Sequence, residues 1–131
     1  MPNSRNKGAA FEREVASLIR DALGIECKRN LMQTAEGGHD LIGIPNWAIE
    51  CKRYKEVKRH DLVRFWEQTY EQALRIGAWP VLMVKVDRQP IDVYISWLGP
   101  AQDAYSEDDF TGVAKISFDL WISIVRETLD D

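Results

Sequence analysis

Asp40, Glu50 and Lys52 stand in the order Asp-x9-Glu-x-Lys, and one further carboxylate, Glu12, sits near the start of the chain. On a strand, residues two apart share a face, so Glu50 and Lys52 set a carboxylate beside an ammonium. Two carboxylates brought together repel unless a cation lies between them. Oxygen-only ligands suit Mg²⁺ or Mn²⁺. Such an ion lowers the pKa of a bound water and offsets charge developing on a scissile phosphate. Lys52 would position the water and neutralise the phosphate. The two cysteines, Cys27 and Cys51, lack the C-x-x-C spacing of a zinc site and read as buried, reduced thiols.

The pentapeptide IECKR occurs twice, at 25–29 and 49–53. Context separates the copies. Only the second follows Gly37-Gly38-His39-Asp40 and a hairpin turn at Pro45-Asn46. With a three-residue loop, Ile44 to Asn46, Gly43 faces Trp47 and Asp40 falls opposite Glu50. Their Cβ atoms would then lie about 4.5–5.5 Å apart. A two-residue loop would set Asp40 against Cys51 instead.

Glu12 is the oddity of the first helix. At 100° per residue from Phe11, the apolar arc spans about −20° to 120°; Glu12 falls at about 100°, Glu14 outside at about 300°. A core-facing glutamate is costly without a partner. A cation shared with Asp40 and Glu50 would supply one. A glutamate favoured by the helix dipole is the plainer alternative, as is a surface ion pair for Glu50 and Lys52.

These residues must be positioned by the elements around them. A helix is predicted over 8–23, with Phe11, Val15, Leu18, Ile19 and Ala22 on one face and Gly24 as its stop. A short strand follows over 25–31, then a loop at 32–38, then strands at 40–44 and 47–52. A second helix should run from Asp61, as N-cap, to Ile76, closed by Gly77. The apolar run 79–86 reads as a central strand, and 91–98 as another. Residues 99–112 read as an acidic loop, and a last helix follows Ser117. The order α-β-β-β-α-β-β-α predicts one α/β domain over 1–131, a mixed sheet flanked by helices, with its core in about 5–98.

The 131 residues carry a net charge of −4, unevenly spread: +3 over 1–64 and −7 over 65–131. A basic face on an acidic protein can still dock phosphates. Arg53, Lys55, Lys58 and Arg59 adjoin the proposed site, with Arg13 and Arg20 on one helix face and Lys28-Arg29 beside it. The composition fits neither a disordered nor a disulfide-rich chain. The apolar runs are too short to span a membrane. The N-terminus lacks the core of a secretory signal, so a cytoplasmic location is expected.

Asp40…Glu50-Cys51-Lys52 resembles the motif of the PD-(D/E)xK nuclease superfamily. Lys7-Gly8-Ala9-Ala10-Phe11-Glu12-Arg13-Glu14 resembles the N-terminal helix of the Hjc-type Holliday junction resolvases and related phage and bacterial endonucleases. Phe65-Trp66-Glu67-Gln68, with Pro80 to Val84, resembles their later helix and strand; the likeness covers about 5–98. It implies a restriction-endonuclease-like core and a Mg²⁺- or Mn²⁺-dependent endonuclease that acts on DNA as a homodimer, cutting four-way junctions. It implies that Glu12, Asp40, Glu50 and the Cys51 backbone carbonyl hold metal, that Lys52 is the catalytic lysine, and that Gln68 lies near the site. DNA contacts would come from Lys7, Arg13, Lys28, Arg29, Arg53, Lys55, Lys58 and Arg59. The Gly-Gly-His-Asp loop and the acidic total depart from the archaeal enzymes. A nuclease for other branched or foreign DNA therefore remains an alternative, as does a non-catalytic DNA-binding module on the same fold.

Overall fold

The computed structural model describes residues 4–32, 39–96 and 112–129. Helix α1 spans Ser4–Leu23, strand β1 Lys28–Arg29, β2 Leu41–Ile42 and β3 Trp47–Tyr54. Helix α2 spans Arg59–Ile76, β4 Trp79–Val86, β5 Asp92–Ser96, β6 Val113–Ser117 and helix α3 Phe118–Leu129. The six strands lie in sequence order in one sheet. Among the described residues β3 and β4 pair in parallel, bridged by α2, and the other neighbours run antiparallel. A two-residue turn cannot join parallel strands, so a crossover helix is required between β3 and β4.

The sheet is covered on both faces. One core holds Phe11, Val15 and Ile19 of α1, Ile49 and Cys51 of β3, and Trp121, Ile122 and Val125 of α3. The other holds Phe65, Trp66, Tyr70 and Ala73 of α2 against Ala48, Leu82, Val84 and Tyr94. The alternation along β3 decides this split: Trp47, Ile49 and Cys51 point to α1 and α3, and Ala48 points to α2. Glu50 and Lys52 have the parity of Ala48 and so belong to the α2 face.

The sequence reading departs from this architecture in several places. The first strand is two residues long rather than seven, because β2, its partner for a ladder among the described residues, is equally short. Helix α1 begins at Ser4, upstream of Gly8. Helix α2 begins at Arg59, two residues early: Asp61 is not the N-cap but the third residue, and its carboxylate accepts a hydrogen bond from the Lys58 N–H at 2.9 Å. Gly77 ends the helix as expected, at φ 65°, its N–H on the Leu74 carbonyl. One strand beyond the eight expected elements was missed: β6 lies between β5 and the last helix and pairs along its whole length with β5, Asp92 facing Ser117 and Ser96 facing Val113. Residues 33–38 of the expected loop 32–38, the last two residues of the expected strand 91–98 and all of the acidic stretch 99–112 but its last residue lie outside the described residues.

Candidate active site

Glu50 lies in the middle of β3 between Ile49 and Cys51, and the pairing of β3 with β2 fixes what stands across from it. Leu41 faces Ile49, and one step along that register sets Asp40 level with Glu50. The turn thus has the three-residue form. It is tight. Gly43 adopts φ 108°, and a Cβ there would sit 2.0 Å from the Glu26 carbonyl oxygen. Only glycine fits both the dihedral and the approach. Asn46 closes the turn at φ 70°, and its carbonyl accepts the Trp79 N–H at 2.8 Å, tying the hairpin to β4.

Three carboxylates are buried at this end of the sheet: Glu12 is 8% exposed, Asp40 4% and Glu50 3%. Glu14 is exposed, as the helical wheel requires. Asp40 is held by main chain on both sides. Its Oδ2 accepts the Cys51 N–H at 2.7 Å, and its own N–H donates to the Ile49 carbonyl at 2.9 Å. Lys52 Nζ lies 3.4 Å from Glu50 Oε1 and 5.3 Å from the centroid of Phe65, so the ammonium is wedged between a carboxylate and a ring face. Phe65 was not anticipated in this role. Its contact with Lys52 follows from α2 packing on the Ala48–Glu50–Lys52 face, which no local pattern announces.

Burial, with a neighbouring carboxylate in each case, pushes both acids up. Glu50 rises to about 8, chiefly by desolvation, then by the charge of Asp40, with Lys52 opposing. Asp40 rises to about 6 by desolvation, opposed by the Cys51 N–H and reinforced by the charge of Glu12. The same three carboxylates, added to its burial, push the Cys51 thiol far up, which makes Cys51 inert as a nucleophile. Cys27 and Cys51 are both buried and free.

The donor chemistry fits a hard divalent cation. Glu50 Oε2 is buried with no hydrogen-bond partner, an orphaned oxygen beside a second carboxylate. Asp40 and Glu50 would each supply oxygen to such an ion, and the ion would relieve the repulsion between them. The third acid stands differently. Glu12 is paired with Arg29, whose Nε donates to Oε1 at 3.0 Å. Among the described residues no three His, Cys, Asp or Glu side chains converge into a ready metal cluster.

The remaining sequence-predicted residues are spread around this centre. Arg29, expected on DNA, is paired with Glu12. It also lines a groove of about 410 Å³ with Arg13, Arg20 and Lys28. Lys7 and Arg53 both reach Asp87, at 3.6 and 3.5 Å. Lys55 and Lys58 are exposed on the connector into α2, and Arg59 is exposed as its first residue. Gln68 is exposed on α2, three residues on from Phe65. The Cys51 backbone N–H, a different atom from the carbonyl expected on the metal, donates to Asp40. Trp47, Trp66 and Trp121 are buried and so are not available to stack on bases, and Phe65 and Trp66 pack in the α2 core.

Residues 3–120 match the family described as Phage putative PDDEXK endonuclease. The chain belongs to that family. The nuclease is also similar in structure to Hjc from Archaeoglobus fulgidus, described as a Holliday junction resolvase from an archaeal hyperthermophile. The two are 20% identical, with a TM-score of 0.51 over 91% of this chain and 98% of that one. At that identity the likeness is one of fold, and it gives the restriction-endonuclease-like architecture of a mixed sheet between helices. Comparison with curated proteins gives no match. No helix among the described residues of the nuclease is long and apolar enough to cross a membrane.

Proposed function

We propose that this PD-(D/E)xK nuclease is a divalent-metal-dependent endonuclease that hydrolyses phosphodiester bonds in DNA, with branched DNA, and four-way junctions first among it, as the substrate. The observation that carries the chemistry is the buried Asp40–Glu50 pair, with the orphaned Glu50 Oε2 and the Lys52 ammonium beside it. Asp40 and Glu50 would hold Mg²⁺ or Mn²⁺, with Glu12 and the Cys51 carbonyl completing the set. A cation bound there would lower the pKa of a water and offset charge on the scissile phosphate.

The chain's own groups do the rest. Lys52, held by Glu50 and the Phe65 ring, keeps its ammonium at a fixed height over the carboxylates, where it would pair with a phosphate oxygen and orient the attacking water. The Cys51 N–H holds Asp40 in one rotamer, so the acid needs no reorganisation when charge develops. Gln68, on the solvent side of α2, would meet the same phosphate group from outside. Lys7, Arg13, Lys28, Arg29, Arg53, Lys55, Lys58 and Arg59 would track the backbone of the flanking DNA through salt-dependent contacts.

A homodimer would set two such sites on the two symmetric strands of a junction. A substrate panel tests the reading: a four-way junction, a flap, a duplex and a single strand, each with Mg²⁺. Paired nicks in the junction at rates above the duplex support the resolvase form. Equal cleavage of all four would replace it with a general endonuclease. Tight binding without cleavage of any would leave only a DNA-binding module.

A further inference from the structure

Arg29 stands at a boundary. On one side it holds Glu12, a buried acid whose charge bears on Asp40 although no three acids converge among the described residues. On the other it lines the groove with Arg13, Arg20 and Lys28, and no acid is among the lining residues. Arg20 is fixed there by its bond to the Cys27 carbonyl at 2.7 Å. Four cations with no carboxylate among the lining residues give the groove the charge that suits a phosphate. The guanidinium fork matches phosphate better than a single carboxylate oxygen, and Arg29 grips Glu12 through Nε, the guanidinium nitrogen nearest its stem.

We infer that Arg29 is a positioning residue that couples DNA binding to metal binding: a backbone phosphate entering the groove draws the guanidinium off Glu12 and frees that carboxylate to join Asp40 and Glu50 around the cation. This deepens the metal-dependent nuclease reading and rests on it. In the DNA-free protein Glu12 is spent on Arg29, so the metal is held by two acids and weakly. With DNA bound, the third acid is released where the ion sits. Hydrolysis is thereby confined to the moment when a phosphate backbone is seated, and a metal-loaded but DNA-free enzyme is disfavoured. Linkage is reciprocal, so the cation must tighten DNA binding by the same factor.

The test measures Mn²⁺ affinity by electron paramagnetic resonance of the free ion, in a Lys52→Ala background that holds cleavage off. A 16-base-pair duplex should tighten Mn²⁺ binding by about tenfold, within the usual range of coupling between sites. Adding Arg29→Gln should give the tighter affinity without DNA and leave the duplex little to add. Arg29→Lys, which keeps a cation near Glu12, should resemble the parent without DNA. Equal Mn²⁺ affinities with and without duplex in the Arg29 protein overturn the coupling even if Arg29→Gln misfolds, and so does an unchanged affinity in a folded Arg29→Gln protein. Either result leaves the nuclease reading standing. A folded parent that binds no Mn²⁺, with or without DNA, overturns both.

Discussion

The Cys51 backbone N–H donates to Asp40 Oδ2 at 2.7 Å, across the β2–β3 hairpin. That bond places the loop-side acid on the strand that carries Glu50 and Lys52. The site is therefore set by backbone pairing and a glycine turn rather than by flexible side chains reaching inward.

Replacing either buried acid by its amide should stabilise the metal-free protein. Glu50→Gln removes a carboxylate that burial and Asp40 both disfavour. At pH 8 the gain should be about 1–3 kcal/mol, or several degrees in Tm. Thermal unfolding in EDTA checks it, and a lower Tm for a correctly folded variant would show that the pair is not strained.

The same pair gives the protein a pH signature. Both folded-state values are raised, to about 6 and about 8, above the ordinary carboxylate range near 4. The folded state then binds protons more tightly than the unfolded one. Its contribution to stability is complete below about pH 4 and is lost as the pH climbs through the raised values. In EDTA, the stability advantage of Glu50→Gln over wild type should grow between pH 5 and 8.5. Mg²⁺ should raise the wild-type Tm more at pH 8 than at pH 5.5, because it replaces protons in the pair. A pH-independent shift would contradict this.

Gly43→Ala should be far more damaging than Gly77→Ala. Both glycines have positive φ, but a Cβ at 43 would strike the Glu26 carbonyl at 2.0 Å, whereas nothing lies within 4 Å of one at 77. The change at 77 should cost about 1 kcal/mol, the usual strain of a non-glycine in the left-handed region. The change at 43 should exceed about 4 kcal/mol, or abolish folding, because backbone must move. Denaturant titration of the two variants separates them.

Much of this was legible in the chain, and the limits are physical. Glu12 betrayed itself by falling on the same helical face as Phe11 and Val15, and its burial follows from that arc alone. The Asp40–Glu50 register was only half readable: a three-residue turn sets Asp40 opposite Glu50 and a two-residue turn sets it opposite Cys51, and the pairing of Leu41 with Ile49, not any local pattern, selects the first. Val81 to Val84 announced a central strand by being apolar on both faces. Strand β6 was not readable: Val113 to Ser117 is short and follows an acidic stretch, and it becomes a strand only by pairing with β5. The Arg29–Glu12 pair joins residues 17 apart across two elements, and neither helix nor strand periodicity carries such a contact. Phe65 beneath Lys52 was hidden for the same reason.

Lys52→Ala should lower the cleavage rate by about 10²–10³-fold, the usual loss for one preorganised charge on a transition state, with little change in Tm because Phe65 still packs in the α2 core. Lys52→Arg should restore only part of it, since a planar guanidinium does not reproduce the position of Nζ between Glu50 and the ring. Single-turnover rates, compared with DNA affinity, divide the chemical step from binding.

The most direct measurement is cleavage of a four-way junction and a duplex by wild type and Asp40→Asn, each with Mg²⁺ and with EDTA. Cleavage by wild type only, and only with Mg²⁺, is the predicted result. Undiminished cleavage by Asp40→Asn, or by wild type in EDTA, would contradict a hydrolytic centre built on Asp40 and Glu50.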